Sequence, residues 1–225
     1  MGTIYAIGGG ELKTKETLTL DSELAKVAKK HAAGLRARAL FIPTASRDHL
    51  PYYNSFHKIY TGVFDIKTDV VLSVNKELDP DKTKAKFDSA DLIYIGGGNT
   101  LFMIESFIKT GLLGYIKDAL DHGTPIAGIS AGAVLWFDRI FTDSLSDSNL
   151  SICNGLGLAR GLICPHYNRR KEQFDRLLES LSGRVIAIED LAMIRLEGST
   201  ISGKWGEGDV YYSDAIESKK LKKII

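Results

Sequence analysis

The chain has 225 residues, which is enough for one large domain and short for two. Its 29 basic and 28 acidic residues give a formal net charge of +1, which argues against a nucleic-acid or membrane-surface partner. No apolar stretch approaches the roughly 20 residues that cross a bilayer, no signal peptide is evident, and two cysteines form no disulfide framework. We therefore expect a cytosolic protein with no membrane partner.

Short apolar runs alternate with helix-like segments through the first 130 residues. The runs are rich in isoleucine, valine and leucine, which is typical of buried strands in a parallel sheet. They are residues 3–8, 39–44, 69–74, 92–97 and 125–130. Amphipathic patterns predict helices over 21–34 (with Asp21 or Ser22 as N-cap), 50–62 and 80–89, and one or two within 99–123. This alternation predicts a doubly wound α/β fold, with helices on both faces of a mostly parallel sheet.

The pattern changes after about residue 150. Strands are predicted in "GLICPHY" (161–167) and "RVIAIED" (184–190), with an amphipathic helix between them. A hairpin turning near Gly198 and a strand in "DVYYSD" (209–214) follow. We interpret this region as a strand-rich C-terminal extension of the same sheet, so that residues 1–225 form a single domain.

A serine flanked by glycines stands where the fifth predicted strand gives way to a helix. Residues 128–132, Gly-Ile-Ser-Ala-Gly, match the G-x-S-x-G motif in its proper strand-turn-helix context. Such a turn lifts the serine Oγ clear of the sheet, and glycines on both sides relieve the steric clash. It also aims the first helical N–H groups, including that of Ala131, at an oxygen that becomes charged. Ser130 is therefore the candidate nucleophile.

His166 is the candidate base. It comes just after an apolar strand, and the carboxyl ends of parallel strands line the site crevice of such folds. It would take the Ser130 proton and later return it to the leaving amine. Three other histidines are less favoured because they fall in helix patterns or at a helix end: His31, His57 and His122. His49 lies in a loop and stays open as an alternative.

The spacing of residues along the sequence does not decide which acid would orient the imidazole. Glu189 and Asp190 follow another apolar strand, and because adjacent strand residues point to opposite faces, only one of them should meet His166. Three earlier carboxylates would suit the chain order serine, acid, histidine: Asp138, Asp143 and Asp147.

Two glycine-rich runs also end predicted strands. "YIGGGNT" (94–100) would let backbone N–H groups approach an oxyanion closely, and "AIGGGE" (6–11) is a weaker candidate of the same kind. Neither run completes G-x-G-x-x-G, and no Walker-type phosphate loop occurs. We therefore expect no nucleotide cofactor, and the cysteines lack metal-ligand spacing.

Taken together, "YIGGGNT", "GISAGA", "PHY" and "AIEDLAM" resemble the dipeptidase E and cyanophycinase family of serine peptidases, in this order and over essentially the whole chain. The resemblance implies a fold like that of class I glutamine amidotransferases, with serine replacing their cysteine. It implies a triad of Ser130, His166 and Glu189. It also implies an oxyanion hole formed by the N–H groups of Gly98 and Ala131.

Dipeptidase E members cleave dipeptides with aspartate on the N-terminal side of the scissile bond, and a cation would have to hold that carboxylate. Arg169 and Arg170 are the candidates, with Arg139 as a third. Asn99 and Thr100, which close the glycine run, are further candidates for substrate binding. The segment "HYNRRKEQ" departs from the aspartyl dipeptidases, so the aspartyl preference stays open. The glycine run makes cyanophycin the less favoured substrate.

The sequence thus predicts a serine exopeptidase that hydrolyses short peptides through an acyl-enzyme, without metal or organic cofactor, as a monomer or homodimer. Two alternatives stay open. One is an esterase or amidase that uses the same serine. The other is a catalytically silent amidotransferase-like module that binds a small ligand or a partner.

Overall fold

Strands and helices alternate along the chain, of which this computed structural model describes residues 2–145, 150–178, 180–214 and 221–224. The strands are β1 (Thr3–Ile7), β2 (Arg38–Ile42), β3 (Lys67–Val70), β4 (Leu92–Ile95), β5 (Ile126–Ile129), β6 (Phe137–Thr142), β7 (Ser151–Asn154), β8 (Ala159–Cys164), β9 (Val185–Ile188), β10 (Ala192–Glu197), β11 (Thr200–Gly206), β12 (Val210–Ser213) and β13 (Lys222–Ile224). The α-helices are α1 (Leu18–His31), α2 (Leu50–Gly62), α3 (Pro80–Asp88), α4 (Thr100–Thr110), α5 (Leu112–Asp121), α6 (Ala131–Val134) and α7 (Tyr167–Leu178).

The first sheet contains all five strands predicted from the apolar runs. Its order is β11-β10-β1-β5-β4-β2-β3, in which β1 to β5 are parallel and the β10–β11 hairpin is antiparallel. The strand β5 lies between β1 and β4. The loops that follow these three strands therefore meet at one edge of the sheet, which is where an open α/β sheet places its ligand crevice.

Helices cover both faces of this sheet, as predicted. Along β1, Ile4 and Ala6 enter the core beneath α3, α4 and α5, whereas Tyr5 and Ile7 enter the core beneath α1 and α2. This division follows from the alternation of side chains along a strand. No helix in the described ranges is long and apolar enough to cross a bilayer.

The C-terminal strands do not all extend the first sheet, which corrects that part of the interpretation. A second sheet has the order β13-β12-β9-β8-β6-β7, and only the hairpin of β10 and β11 joins the first sheet. The chain leaves the first sheet after the single turn of α6 and enters β6, which pairs parallel to β8. Buried Phe137, Ile140 and Phe141 fix β6 in place. The mixed α/β class is as predicted.

The first helix begins earlier than its predicted caps. The helix α1 starts at Leu18, and its N-cap Thr17 makes no side-chain capping bond. Asp21 instead lies in the first turn and is fully buried. It accepts hydrogen bonds from Thr17 Oγ1 at 2.7 Å and from the Tyr60 hydroxyl at 3.0 Å. Burial raises the pKa of Asp21 to about 6, although both hydrogen bonds act to lower it.

This buried carboxyl makes the stability of the fold depend on pH. Because the folded-state pKa lies above the ordinary value of 3.8, the folded state keeps a proton that the unfolded state has lost between about pH 4 and pH 6. The free energy of unfolding should therefore fall as the pH rises through this window. Relative to Asp21→Asn, the wild-type protein should lose up to about 3 kcal/mol between pH 4 and pH 7.

Urea denaturation of both proteins across that pH range measures this difference, and the other titrating groups cancel because the two proteins share them. A constant difference between wild type and Asp21→Asn at every pH would contradict the raised pKa of Asp21.

Candidate active site

Ser130 occupies a strained turn at the end of β5. Its backbone has φ 53° and ψ −113°, an uncommon conformation for a residue with a side chain. A Cβ on Gly128 would lie 1.9 Å from the Gly132 carbonyl oxygen, and a Cβ on Gly132 would lie 2.2 Å from that of Ile95. The turn can therefore close only because both flanking residues are glycine, which confirms the steric reading of the G-x-S-x-G motif.

His166 lies beside this serine. Its Nε2 is 2.9 Å from Ser130 Oγ. The backbone around the pair is anchored at the end of β1, because Ser130 N donates to the Ile7 carbonyl and His166 N donates to that of Gly8. Like the serine, His166 has a positive φ, of 52°. The structure thus brings together the two residues that the sequence singled out.

The carboxylate on the far side of the imidazole belongs to Asp190, not to Glu189 as the resemblance implies. Asp190 Oδ1 lies 2.5 Å from His166 Nδ1. The Glu189 carboxylate turns the other way and accepts the backbone N–H of Asp209 at 2.9 Å, just before β12. Neighbouring residues point to opposite sides at this strand end, and the pairing of β9 with β12 leaves Asp190 facing His166.

Two of the three earlier carboxylates, Asp138 and Asp143, have partners other than the imidazole. Asp138 Oδ1 accepts the backbone N–H of Gly161 at 2.9 Å, and Asp143 forms an ion pair with Arg170. Asp147 lies outside the described residues.

Asp190 is held by the first turn of α7 as well as by His166. Asn168 makes two reciprocal bonds with it: Nδ2 donates to Asp190 Oδ2 at 3.2 Å, and Asp190 N donates to Asn168 Oδ1 at 3.0 Å. Arg169 Nε lies 2.5 Å from Asp190 Oδ2. Burial alone would raise the pKa of Asp190, but the bonds from His166 and Asn168 and the charge of Arg169 outweigh it and leave this pKa below its ordinary value. Asp190 is therefore an anion at neutral pH.

Removing the Asn168 amide should loosen this arrangement. A hydrogen bond to a charged group contributes roughly 1.5–3 kcal/mol, so Asn168→Ala should lower kcat by about 10-fold or more while KM changes little. Steady-state kinetics on any cleaved peptide measures the effect. Asn154→Ala, on the exposed strand β7, is the matched control and should keep wild-type kcat. Equal kcat values for the two variants would show that Asn168 does not hold Asp190 in its working position.

The first glycine run makes room for the imidazole and its carboxylate. A Cβ on Gly9 would lie 2.0 Å from Asp190 Oδ1 and 2.2 Å from His166 Nδ1. The Gly9 carbonyl also accepts the backbone N–H of Leu191 at 3.0 Å. Sequence reasoning gave this run only a weak role as an oxyanion nest. Its position after β1, the strand next to β5, depends on a strand order that the sequence does not specify.

The second glycine run lies against the serine itself. A Cβ on Gly97 would be 3.3 Å from Ser130 Cβ and 3.9 Å from Ser130 Oγ. Gly98 has φ 140° and packs on the Ala45 carbonyl, so no other residue fits there without strain. Within the described residues, the amides of Gly98 and Ala131 donate to no protein acceptor. Both are therefore available to an oxygen of a substrate.

The candidates Asn99 and Thr100 have structural partners. Asn99 caps α4, since its Oδ1 accepts the N–H of Phe102 at 2.9 Å, and its Nδ2 donates to the Ser144 carbonyl at 3.2 Å. Thr100 is buried, and its N–H donates to Ser144 Oγ at 2.9 Å. These two residues thus tie the loop after β6 to the start of α4.

The three candidate arginines differ in their surroundings. Arg170 binds the Phe141 carbonyl and the Asp143 carboxylate, and Arg139 binds the Ser182 carbonyl. Arg169 is 67% exposed, and its Nε forms an ion pair with Asp190. It therefore lies at the Asp190 end of the triad and is largely exposed to solvent.

Across the described ranges, no group of three or more His, Cys, Asp or Glu side chains is placed to bind a metal ion. The chemistry that the site supports is acyl transfer. The site joins a hydroxyl, an imidazole and a carboxylate through two contacts, and no acceptor among the described residues takes the amides of Gly98 and Ala131.

Comparison with known proteins identifies a peptidase family, in agreement with the resemblance of the sequence motifs. The family model described as "Peptidase family S51" matches residues 4–203. The "Uncharacterized peptidase YgaJ" of Bacillus subtilis (strain 168) is 32% identical over 174 residues, which cover 77% of this chain and 72% of that protein. "Peptidase E" of Streptomyces coelicolor is 28% identical over 174 residues, which cover 72% of this chain and 69% of that protein.

Solved structures share the fold. A peptidase from an acI-B1 Actinobacterium aligns with a TM-score of 0.74 and 18% identity, covering 100% of this chain and 94% of that one. A putative Peptidase E from Listeria monocytogenes EGD-e aligns with a TM-score of 0.64 and 20% identity, covering 92% and 99%. Since the family match spans nearly the whole length, this chain belongs to peptidase family S51 and is a serine peptidase.

Proposed function

We propose that the protein is an exopeptidase that hydrolyses short peptides through an acyl-enzyme formed on Ser130. The observation that carries this proposal is the continuous line from Ser130 Oγ through His166 to Asp190, with contacts of 2.9 and 2.5 Å. These distances suit proton transfer between a nucleophile and its base, with a third group that orients the base.

The reaction begins when Ser130 Oγ attacks the scissile carbonyl carbon and His166 Nε2 takes the hydroxyl proton. Asp190 accepts the Nδ1–H bond, which fixes the imidazole tautomer and stabilises the imidazolium ion that forms. The carbonyl oxygen becomes an oxyanion, which the amides of Gly98 and Ala131 stabilise. When the C–N bond breaks, His166 returns the proton to the leaving amine. Water then attacks the acyl-enzyme with His166 again as base, releasing the acid and restoring Ser130.

A preference for an acidic side chain would require a cation near the serine. Arg170 and Arg139 are bound elsewhere in the protein, and Arg169 is the one that extends from the site toward solvent. We therefore propose Arg169 as the residue that contacts the carboxylate of an aspartyl dipeptide, while its Nε stays on Asp190. The two contacts are compatible because a guanidinium carries five N–H donors.

A dipeptide panel tests this function. The protein should hydrolyse dipeptides, and aspartyl dipeptides should lose the most activity in Arg169→Met. The matched control is the same protein after reaction with a fluorophosphonate, which should carry one adduct on Ser130 and cleave nothing. Labelling of Ser130 with ester turnover but no dipeptide cleavage would favour an esterase. Absence of labelling on folded protein would favour a silent binding module.

A further inference from the structure

One side chain outside the triad reaches the loop that carries the oxyanion hole. This loop, which we call the oxyanion loop, comprises residues 96–99. Gly96 N donates to the Ile42 carbonyl at 3.0 Å, and Asn99 N donates to the Ala45 carbonyl at 2.9 Å. Between these anchors, Gly97 N donates to the hydroxyl oxygen of Tyr52 at 3.2 Å. Two of these anchors are main-chain groups, and the third is the side chain of Tyr52.

The anchored amide lies next to the reacting atoms. Gly97 packs on Ser130, and the peptide unit that follows Gly97 carries the N–H of Gly98. Glycine restricts its own backbone less than any other residue, so consecutive glycines do not hold this peptide unit in one orientation by themselves. A fixed partner on Gly97 supplies the restraint that the glycines lack.

Tyr52 is itself well fixed. A Cβ on Gly96 would lie 2.8 Å from Tyr52 Cε1, so the ring rests directly on the loop. The ring also meets Phe41 edge-on, with centroids 5.0 Å apart and an interplanar angle of 81°. Burial raises the pKa of Tyr52 and outweighs the bond from Gly97, which lowers it; the carboxylates of Glu11 and Asp21 raise it further. The hydroxyl therefore stays neutral throughout the working pH range.

We propose that Tyr52 is a positioning residue for peptide hydrolysis. Its hydroxyl holds the Gly97 amide and thereby aims the Gly98 N–H at the oxyanion that forms when Ser130 attacks the substrate carbonyl. This inference rests on the proposed function of Ser130. It assigns to α2, which contains no triad residue, a role in the transition state rather than in substrate binding.

The test is Tyr52→Phe, which keeps the ring and removes only the hydroxyl. Because a misplaced catalytic group costs up to about 100-fold in rate, kcat should fall about 10- to 100-fold while KM stays within about 2-fold. The rate of fluorophosphonate labelling at Ser130 should fall in parallel, since the phosphonyl oxygen of the probe occupies the oxyanion hole. The affinity for a peptide aldehyde, whose adduct places an oxyanion there, should fall by the same factor.

Two neighbouring tyrosines provide controls. Tyr53→Phe removes the next hydroxyl of α2, which lies 3.4 Å from Thr68 Oγ1, and should label at the wild-type rate. Tyr60→Phe removes a hydroxyl from the same aromatic cluster, where it binds Asp21 at 3.0 Å, and reports any general loosening of that cluster. Its melting temperature should fall while its labelling rate stays at the wild-type value.

The outcomes separate the two proposals. If Ser130 is labelled at the same rate in the wild-type protein and in Tyr52→Phe, the role of Tyr52 is overturned and the proposed function of Ser130 stands. A rise in KM with unchanged kcat overturns that role too, because it would place Tyr52 in substrate binding. If the labelling rate falls equally in Tyr60→Phe, the effect comes from packing of the aromatic cluster, and the role of Tyr52 is overturned as well. If wild-type Ser130 takes no label, the proposed function fails, and the inference fails with it.

Discussion

Replacing Asp190 with asparagine should lower kcat by about 10⁴-fold, the size of the effect that the equivalent substitution has in a Ser-His-Asp protease. The reason is the tautomer of His166. An asparagine can present its NH₂ group to Nδ1, which favours the proton on Nε2, and that nitrogen can then no longer accept the Ser130 proton. Asn168 and Arg169 also contact residue 190, so folding needs its own control. The circular dichroism spectrum of Asp190→Asn should match that of the wild-type protein.

Glu189→Gln is the matched control, since it makes the same chemical change one residue away. Its amide oxygen can still accept the N–H of Asp209, which Glu189 accepts at 2.9 Å. We expect kcat of this variant to stay within about 2-fold of wild type, because Glu189 makes no contact with the imidazole. Steady-state kinetics on one dipeptide decides between the carboxylates. Loss of activity in Glu189→Gln with retention in Asp190→Asn would restore the Ser-His-Glu triad that the resemblance implies.

Gly9→Ala should lower kcat by about 100-fold or more. The added methyl group would lie 2.0 Å from Asp190 Oδ1 and 2.2 Å from His166 Nδ1, so the bonded pair must separate or turn. A displacement of about 1 Å in such a site costs about 100-fold in rate. Gly9 is not among the residues with positive φ, so its backbone accepts alanine and the effect comes from the collision alone.

Gly114→Ala is the control for this substitution. Gly114 lies within α5, and a Cβ there meets nothing within 4 Å. Alanine in a helix interior is more stable than glycine by roughly 0.5–1 kcal/mol, so this variant should keep full kcat and melt slightly higher. Full activity in Gly9→Ala would mean that the site opens around Gly9 in solution and that the close contact is not required for catalysis.

The fold could be predicted where burial alone determines the pattern. The strands β1, β2, β4 and β5 are fully or nearly buried, so their sequences are continuous apolar runs. For the edge strand β3 the apolar run predicts residues 69–74 instead of Lys67–Val70, because one side of the strand faces solvent and carries Lys67 and Asp69. The sequence pattern does not predict β6, because Asp138 and Arg139 interrupt its apolar residues directly after α6.

The site could be predicted where function depends on strand ends. Ser130 and His166 follow apolar strands, and parallel topology brings such ends together. The choice between Glu189 and Asp190 depends on Asp209, whose backbone N–H binds the Glu189 carboxylate. The pairing of β9 with β12 brings these two residues together. That pairing is a tertiary contact, and alternation along the strand says only that one of the two carboxylates faces inward.

Substrate contacts were the least predictable part of the site. Asn99, Thr100 and Arg170 carry polar groups suited to a ligand, but Ser144 and Asp143 engage them within the protein. The partners come from the loop after β6, a strand that the sequence did not reveal. The role of Tyr52 is unpredictable for the opposite reason, because nothing in the sequence of α2 distinguishes it from the adjacent Tyr53.

The most direct test of the account is proton NMR of the His166 Nδ1–H group in water. A strong bond to the Asp190 carboxylate moves such a proton far downfield of the ordinary amide region. The account predicts a downfield resonance in the wild-type protein and in Glu189→Gln, and its loss in Asp190→Asn and His166→Gln. A resonance that survives in Asp190→Asn and disappears in Glu189→Gln would contradict the arrangement described for Ser130, His166 and Asp190.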